Sequence, residues 1–576
     1  MKVSLLRSVL AKLKSSGELI TINEEIDPNL DIATRHLQEF RNKGKALLFK
    51  KVKGSKYSAV SNIFGTLYRS KLLFPKGILE DIKALIGFKI NPLSALKNPI
   101  KSIKIIYKAY YAIPKKVNFP SNFEEIKISD LPQIKSWPND GGAFITLPQV
   151  YSESVDKPGL FNSNLGMYRI QMSGNEYIND KEIGMHYQIH RGIGVHHKQA
   201  IKINQPLKVS IFVGGHPAHT FAAVMPLPEG IPEISFAGVL AKRRFRYALK
   251  DGYVISTDAD FVICGEIYEN DLKPEGPFGD HLGYYSLKHS FPFVRVKHVY
   301  AKKDGIWPFT VVGRPPQEDS QFGKLIHEIT GKAVEAEIPG LKSVNAVDVA
   351  GVHPLLLAIG SERYTPFNPT KRPMELLTIA HHILGTGQMS LAKYLFICDD
   401  YLGLDINNEK EFFTHFLERV DWKRDLHFLT KTTIDTLDYS TKDLNEGSKV
   451  IIAAAGEIKR KLINKLDQKF NLFNNFNKIN LISNGNLVVE GSGKVEDLIV
   501  CLEKQKINGI GLITIVDDIQ FVSKEFNNWL WVTFTRSDPA SDISGLNAEV
   551  INKHFSFSIP IIDARIKKHH APVLER

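Results

Sequence analysis

Pro274-Glu275-Gly276-Pro277-Phe278-Gly279-Asp280-His281 is a stretch suited neither to a helix nor to a central strand. Pro274 and Pro277 lack backbone donors and fix φ, while Gly276 and Gly279 permit tight reversals or close approach by a ligand. What remains is a stiff loop presenting two carboxylates, Glu275 and Asp280, five residues apart. Alone, such a loop is either a solvated turn, the usual fate of Gly/Pro loops, or an acid pair for catalysis. Its surroundings bear on the fold. From Ala143 to about Val311, short β-branched and aromatic runs, among them Leu207–Val213, Thr220–Val224, Tyr253–Ile255, Phe261–Tyr268 and Phe293–Tyr300, are separated by Gly, Pro and Asn. That spacing predicts a barrel or sandwich of short strands.

Before this region the chain alternates helix and strand: a helix to about Gly17, a strand at Leu19–Ile22, a helix over Asn29–Asn42, and strands at Ala46–Phe49 and Tyr57–Ile63. After it, from about Gln317, helices and buried strands return. The length of 576 residues is too great for one core, since domains run to roughly 100–200 residues. Hydrophobic residues at 43% and charged residues at 24% describe an ordinary soluble globular chain. No run approaches the ~18 apolar residues of a membrane span. The alternating Lys/Arg and Leu of residues 1–19 read as an amphipathic helix rather than a signal peptide. Cys264, Cys398 and Cys501 are isolated and have no metal-ligand spacing, which suits a reducing, cytoplasmic compartment.

The net charge of +12 is local in origin, because Arg69–Lys116 carries eleven Lys/Arg against Glu80 and Asp81. Within it Ile103, Ile106, Tyr107 and Tyr110 recur at helical spacing, with Lys101, Lys104 and Lys108 on another face. Such a helix either packs on its own domain or lies on an anionic membrane surface. No recognised nucleic-acid motif accompanies the charge, so nucleic acid is not an expected partner.

Two further stretches carry chemistry. In Asn164-Leu165-Gly166-Met167-Tyr168-Arg169, a straight strand would point Asn164 and Arg169 to opposite faces, so a shared ligand needs a bend at Gly166. The other is Ile189-His190-Arg191-Gly192, followed by Met225-Pro226-Leu227-Pro228-Glu229-Gly230-Ile231-Pro232-Glu233. An amide oxygen (Asn164), an imidazole (His190) and a carboxylate (Glu233) could together ligate Mn²⁺ or Mg²⁺ beside a phosphate.

Together these stretches resemble the UbiD family of decarboxylases. The matching strings are Asn164 to Arg169, His190-Arg191-Gly192, Glu233 before Ile234-Ser235-Phe236-Ala237-Gly238, the acidic loop with Gly283-Tyr284-Tyr285, Gly313-Arg314-Pro315-Pro316 and Gly447-Ser448-Lys449. The resemblance covers about residues 1–455. It implies non-oxidative loss of CO₂ from an aromatic or α,β-unsaturated acid, with prenylated FMN, Mn²⁺ and often K⁺ as cofactors. It also implies a flavin prenyltransferase as supplier and a homo-oligomer. Asn164, His190 and Glu233 would hold the metal. Gly166, Met167, Tyr168, Arg169, Ile189, Ala223, Met225 and Pro226 would surround the flavin, and Lys449 would reach its phosphate. Arg169, Glu275 and Asp280 would form the catalytic trio, with Glu275 as proton donor and Asp280 kept anionic by Arg169. Leu-Gly-Met-Tyr-Arg and Asp-His before Gly-Tyr-Tyr look like the branch acting on polyprenyl-4-hydroxybenzoate or naphthoate quinone precursors. A cinnamic-type acid, or a flavin-binding redox or carrier role, are the alternatives. A prenylated substrate would suit contact of the basic helix with the inner face of the cell membrane.

The expected architecture is multidomain α/β. It comprises an N-terminal α/β domain (1–120, with the basic insert 69–116), a central split β-barrel of the flavin-reductase, FMN-binding kind (121–316), a C-terminal α/β domain (317–470) and an extension (471–576). That extension reads as a repeat. Leu395-Phe396-Ile397-Cys398-Asp399-Asp400 with Arg419, Asp421 and Asp425 is echoed by Ile513-Thr514-Ile515-Val516-Asp517-Asp518 with Arg536, Asp538 and Asp542, about 117 residues later. No equivalent of Gly447-Ser448-Lys449 occurs in the second copy, which points to a role in assembly or stability.

Overall fold

Leu6, Val9, Leu10 and Leu13 recur at helical spacing, and in the computed structural model they are the buried face of helix Leu5–Ser15. The structure describes residues 5–90, 103, 107–187, 192–227, 230–368, 370–400, 403–466, 470–472 and 475–574. The alternation read from the N-terminal sequence is present as strand Leu19–Ile26, helix Asp31–Arg41 and strands Ala46–Val52 and Ser58–Ser61. These strands form a four-stranded sheet completed by Ile306–Pro308, which comes from the far side of the acidic loop and pairs in parallel with Ser58–Ser61. One apolar core joins Leu6, Leu48 and Phe64 to Phe221, Leu240 and Phe322, so the N-terminal α/β segment and the central region fold together.

Contacts divide the chain into two units, residues Met1–Thr330 with Val573–Arg576, and residues Gly331–Pro572. The first contains a ten-stranded sheet. Its path runs Phe144–Ile145, Ile170–Gln171, Glu182–Met185, His289–Lys302, Phe261–Ile267, Leu207–Val213, Gln149–Glu153 and Ser163–Gly166, with Phe123–Glu125 and Leu272–Glu275 also paired to His289–Lys302. The path is open, and no closed ring of strands occurs among the described residues. Inward-facing Ile170, Ile183, Val209, Ile211, Ile263 and Val294 fill the interior, as alternation along a half-buried strand requires.

Of the basic insert, Ile103, Tyr107 and Tyr110 are exposed rather than packed on the core. Lys108 pairs with Asp81, and Arg244 donates to the Tyr110 hydroxyl at 3.0 Å. Lys101, Lys104 and Ile106 lie outside the described residues. No helix among the described residues is long and apolar enough to cross a membrane.

The second unit contains two five-stranded sheets. One runs Leu341–Ala346, Leu355–Gly360, Tyr394–Asp399, Glu446–Ala454, Leu426–Thr433, and the other Phe476–Ser483, Asn486–Gly491, Leu512–Val516, Ile559–Asp563, Ile543–Leu546. In both, the outer pairs are antiparallel and the two inner pairs parallel. The echoed aspartates make the same bond, from Asp421 N–H to the Asp425 carboxylate at 3.0 Å and from Asp538 N–H to the Asp542 carboxylate at 2.7 Å.

Candidate active site

The first two residues of the acidic stretch are strand, not loop. Leu272–Glu275 pairs antiparallel with His289–Lys302, placing Glu275 opposite His289. Pro274 is tolerated there because this strand has a partner on one side only, where a missing N–H costs no ladder bond. After the cis Gly276–Pro277 bond, Phe278–Gly279 pairs with Tyr285–Ser286 as a two-stranded ribbon. Glu275 and Asp280 are both buried.

Arg169 reaches both acids. Strand Ser163–Gly166 ends at the glycine, and pairing resumes at Ile170–Gln171 against different neighbours in the same sheet. A side chain at Gly166 would meet the Tyr168 ring at 2.2 Å, so only glycine lets Tyr168 fold back over the strand. Arg169 Nε and Nη2 donate to the two Glu275 oxygens at 2.9 and 2.8 Å, Nη1 pairs with Asp280, and Nη2 also reaches Ser286 Oγ at 2.9 Å. The guanidinium lies over the Phe278 ring, 4.9 Å from its centroid. Reading Arg169 as the partner of Asp280 alone therefore understates it, since the bidentate fork belongs to Glu275. Burial pushes the Asp280 carboxyl up, but the bond from His281 Nδ1 at 2.8 Å and the Arg169 charge outweigh it and hold Asp280 below its ordinary value.

Asn164 and Glu233 also come together. Glu233 opens helix Glu233–Leu240, is half-buried and accepts the N–H of Leu165, the neighbour of Asn164, at 3.0 Å. Burial raises its carboxyl above the usual value, against the backbone bonds that favour the anion. The Asn164 amide donates to the Tyr168 hydroxyl at 3.2 Å, and its Oδ1 faces Gly192, where an added Cβ would stand 2.4 Å away. Ile189 and His190 lie outside the described residues. Met167 N–H donates to Ala223 O at 3.0 Å, which joins two of the residues assigned to the flavin; Met225 is buried and Pro226 exposed. Lys449 belongs to the second unit, where burial lowers its ammonium pKa and its Nζ donates to Ser390 O.

Four residues outside the sequence assignments position the acid loop. Asp140 accepts from Gly279 N at 2.8 Å while its other oxygen accepts from Trp137 N at 2.9 Å and Ser136 N at 3.2 Å. Gln171 Oε1 accepts from Gly276 N at 2.9 Å, Asn175 donates to Gly276 O at 2.7 Å, and Ser286 Oγ accepts from Phe278 N at 3.2 Å. The only sequence sign of Asp140 is its place in the Trp137-Pro138-Asn139-Asp140-Gly141-Gly142 turn.

Three profiles of one family match the chain: the 3-octaprenyl-4-hydroxybenzoate carboxy-lyase N-terminal domain over residues 10–86, its Rift-related domain over 113–315 and its C-terminal domain over 320–454. The chain is 34% identical over 580 residues to a Chlamydia pneumoniae protein named as a subunit of 4-hydroxybenzoate decarboxylase, covering 100% of this chain and 96% of the relative. Its fold matches vanillic acid decarboxylase of Sedimentibacter hydroxybenzoicus in closed form, with TM-score 0.67, 22% identity, and 82% of this chain and 97% of that chain covered. An evolved dimeric form of the UbiD-class enzyme HmfF from Pelotomaculum thermopropionicum, in complex with prFMN, matches with TM-score 0.59 and 19% identity, covering 81% of this chain and 97% of that chain.

Proposed function

Because the chain belongs to the UbiD family of carboxy-lyases, we propose that it removes CO₂ non-oxidatively from an aromatic carboxylic acid, using prenylated FMN held beside a divalent cation. The buried Arg169–Glu275–Asp280 constellation carries this reading, because an enzyme that expels CO₂ must return a proton to carbon in a site closed to water. A flavin-binding redox or carrier protein has no use for such a pair.

The residues fit the cofactors. Asn164 and Glu233 supply oxygen donors of the kind Mn²⁺ or Mg²⁺ prefers, adjacent through the Leu165 N–H, and Gly192 leaves room for the Asn164 carboxamide against the chain. His190 would complete the set, Gly166, Met167, Tyr168, Ile189, Ala223, Met225 and Pro226 would border the flavin, and Lys449 would meet its phosphate. K⁺ would sit near Ala223 and Met225. The central sheet would be the split barrel of this family, within the domain limits expected from sequence. When bound, the prenylated flavin supplies the electron-poor partner that takes up the charge left by departing CO₂. Glu275 Oε delivers a proton to the carbon from which CO₂ has departed. Arg169 fixes the Glu275 carboxyl in place through both of its oxygens and ties it to Asp280.

The substrate proposed is a polyprenyl-4-hydroxybenzoate or a naphthoate precursor of a quinone. The exposed Ile103, Tyr107 and Tyr110 of the basic insert support it, since a membrane-borne substrate favours a protein that docks on anionic lipid. The name of the chlamydial relative favours a second reading, an unprenylated hydroxybenzoate. Co-expression with a flavin prenyltransferase, then CO₂ release from both acids, the naphthoate and cinnamate, tests the proposal. Liposome flotation and the solution mass test the membrane contact and the proposed homo-oligomer. Flavin-dependent NAD(P)H oxidation without CO₂ would overturn the lyase. Turnover of cinnamate alone would remove the quinone-precursor reading.

A further inference from the structure

Beyond residue 454, where the family profiles end, the chain builds the second five-stranded sheet of the second unit and then returns to the acidic loop. Up to His570 the segment is held in the second unit: Lys567 pairs with Asp542 at 3.2 Å, and His569 Nε2 bonds Ser440 O at 3.1 Å. Three residues later the chain is part of the first unit. Val573 forms an antiparallel bridge with Tyr284, Leu574 N–H donates to Gly283 O at 3.0 Å, and the Leu574 side chain packs on the core that contains Trp137, Tyr168 and Tyr285.

The place of attachment matters. Gly283 and Tyr284 close the turn that carries Asp280: Gly283 N–H donates to Asp280 O and Tyr284 O accepts from Asp280 N–H, both at 3.0 Å. This turn tips a ribbon of two residues per strand, Phe278–Gly279 with Tyr285–Ser286, and two-stranded ribbons are not stable without outside support. Asp140 braces the Gly279 side. On the turn side, Val573 and Leu574 supply the backbone pairing. Asp280 meets Arg169 only while the turn keeps this position, and a displacement of about 1 Å at such a pair costs on the order of a hundredfold in rate.

We propose that Val573 and Leu574 form a strap that positions Asp280, so that the extension beyond the conserved family domains completes the acidic loop by adding a β-bridge to Gly283 and Tyr284. Val573 and Leu574 are positioning residues and act through the turn. The catalytic consequence rests on the proposed lyase reading; the structural role of the strap does not.

The test uses the full chain, a version ending at Pro572, and Leu574→Pro, which keeps an apolar side chain but lacks the N–H given to Gly283. Hydrogen-exchange mass spectrometry reads the amides of residues 280–286, and steady-state turnover reads kcat and KM separately. Both variants should exchange at 280–286 at least about tenfold faster, with protection elsewhere in the first unit unchanged. Their kcat should fall about tenfold with KM within about twofold, the pattern of a displaced catalytic group rather than of lost binding. Leu574→Ile, which retains donor and bulk, should restore both. Unchanged protection at 280–286 in both variants overturns the strap, and lost protection with full kcat overturns its positioning role. If the intact chain releases no CO₂ from any aromatic acid, the lyase reading falls while the exchange data still decide whether the strap holds the turn.

Discussion

Both oxygens of Glu275 are gripped by one guanidinium, with Arg169 Nε at 2.9 Å from Oε1 and Nη2 at 2.8 Å from Oε2, while the remaining nitrogen serves Asp280. Lysine has a single ammonium and cannot reproduce this geometry. Arg169→Lys should retain the fold but lose roughly a hundredfold or more in kcat/KM, measured as CO₂ release, an effect of the size expected when a preorganised electrostatic partner is removed. Arg169→Met removes the buried fork that joins Glu275 to Asp280 and should cost about 3–5 kcal/mol in urea unfolding.

Glu275→Gln keeps the shape of the side chain but cannot deliver the proton. It should bind cofactor normally, by flavin absorbance, and lose at least about a hundredfold in kcat, the usual worth of a positioned general acid. Full turnover would exclude Glu275 as the donor.

The Asp140 clamp makes a prediction about pH. Burial pushes this carboxyl up to about 6 against three backbone N–H bonds, from a reference of 3.8. The folded protein therefore binds the proton more tightly than the unfolded chain, so this group favours folding most below about pH 4 and its contribution falls as pH rises to about 6, by at most ~1.4 kcal/mol per pH unit. Asp140→Asn should flatten the pH 4–6 slope of unfolding free energy relative to wild type. It should also weaken the hold on Gly279, because one carboxamide oxygen cannot serve amides on both sides. Identical slopes in the two proteins would show that Asp140 does not titrate in this window.

How much of this is legible in the sequence depends on what each residue does. Glu275, Asp280 and Arg169 stand out because acids between Gly and Pro, and an Arg beyond a strand-bending Gly, are unusual local patterns. Their convergence in space is a fact of the fold, supplied when Leu272–Glu275 and Ile170–Gln171 join one sheet. Asp140, Gln171, Asn175 and Ser286 are not legible, because they act by bonding backbone groups of the acidic stretch, and any polar residue in a turn looks the same in sequence. Val573 and Leu574 carry no signal, since a β-bridge is made by main chain. The strand character of Pro274 escapes a sequence reading because proline is compatible with an edge strand, and edge position is set by the partner strand.

At the candidate metal site, Glu233→Gln keeps an oxygen for the Leu165 N–H but removes the charge. Mn²⁺ affinity, followed by electron paramagnetic resonance on the flavin-loaded protein, should drop at least about tenfold, while the thermal midpoint of the metal-free protein stays unchanged or rises, since burial already disfavours this carboxylate. Unaltered Mn²⁺ binding would remove Glu233 from the ligand set.

The two sheets of the second unit meet through equivalent helices. Helix Glu409–Arg419 of the first and helix Phe526–Arg536 of the second bear the echoed arginines at their ends, and Phe413 lies 5.2 Å from the Trp529 ring and 6.0 Å from that of Phe534. This contact sets Phe413 of one helix against Trp529 and Phe534 of the other, and Phe534 in turn against Tyr394 and Phe396 of the first sheet. Phe412, Phe413, Phe416, Trp529, Leu530 and Phe534 are fully buried by it and by the sheets they cover. Ending the chain at residue 470 would strip helix Phe526–Arg536 and its sheet from that aromatic surface and leave an apolar patch of the kind that drives association. The shortened protein should self-associate through it, as a concentration-dependent rise in mass by sedimentation, relative to the full chain. Trp529→Ala in the full chain should cost about 3–5 kcal/mol, the usual loss for a buried aromatic. A shortened protein that matches the full chain in oligomeric state and solubility would mean that this face does not drive association once exposed.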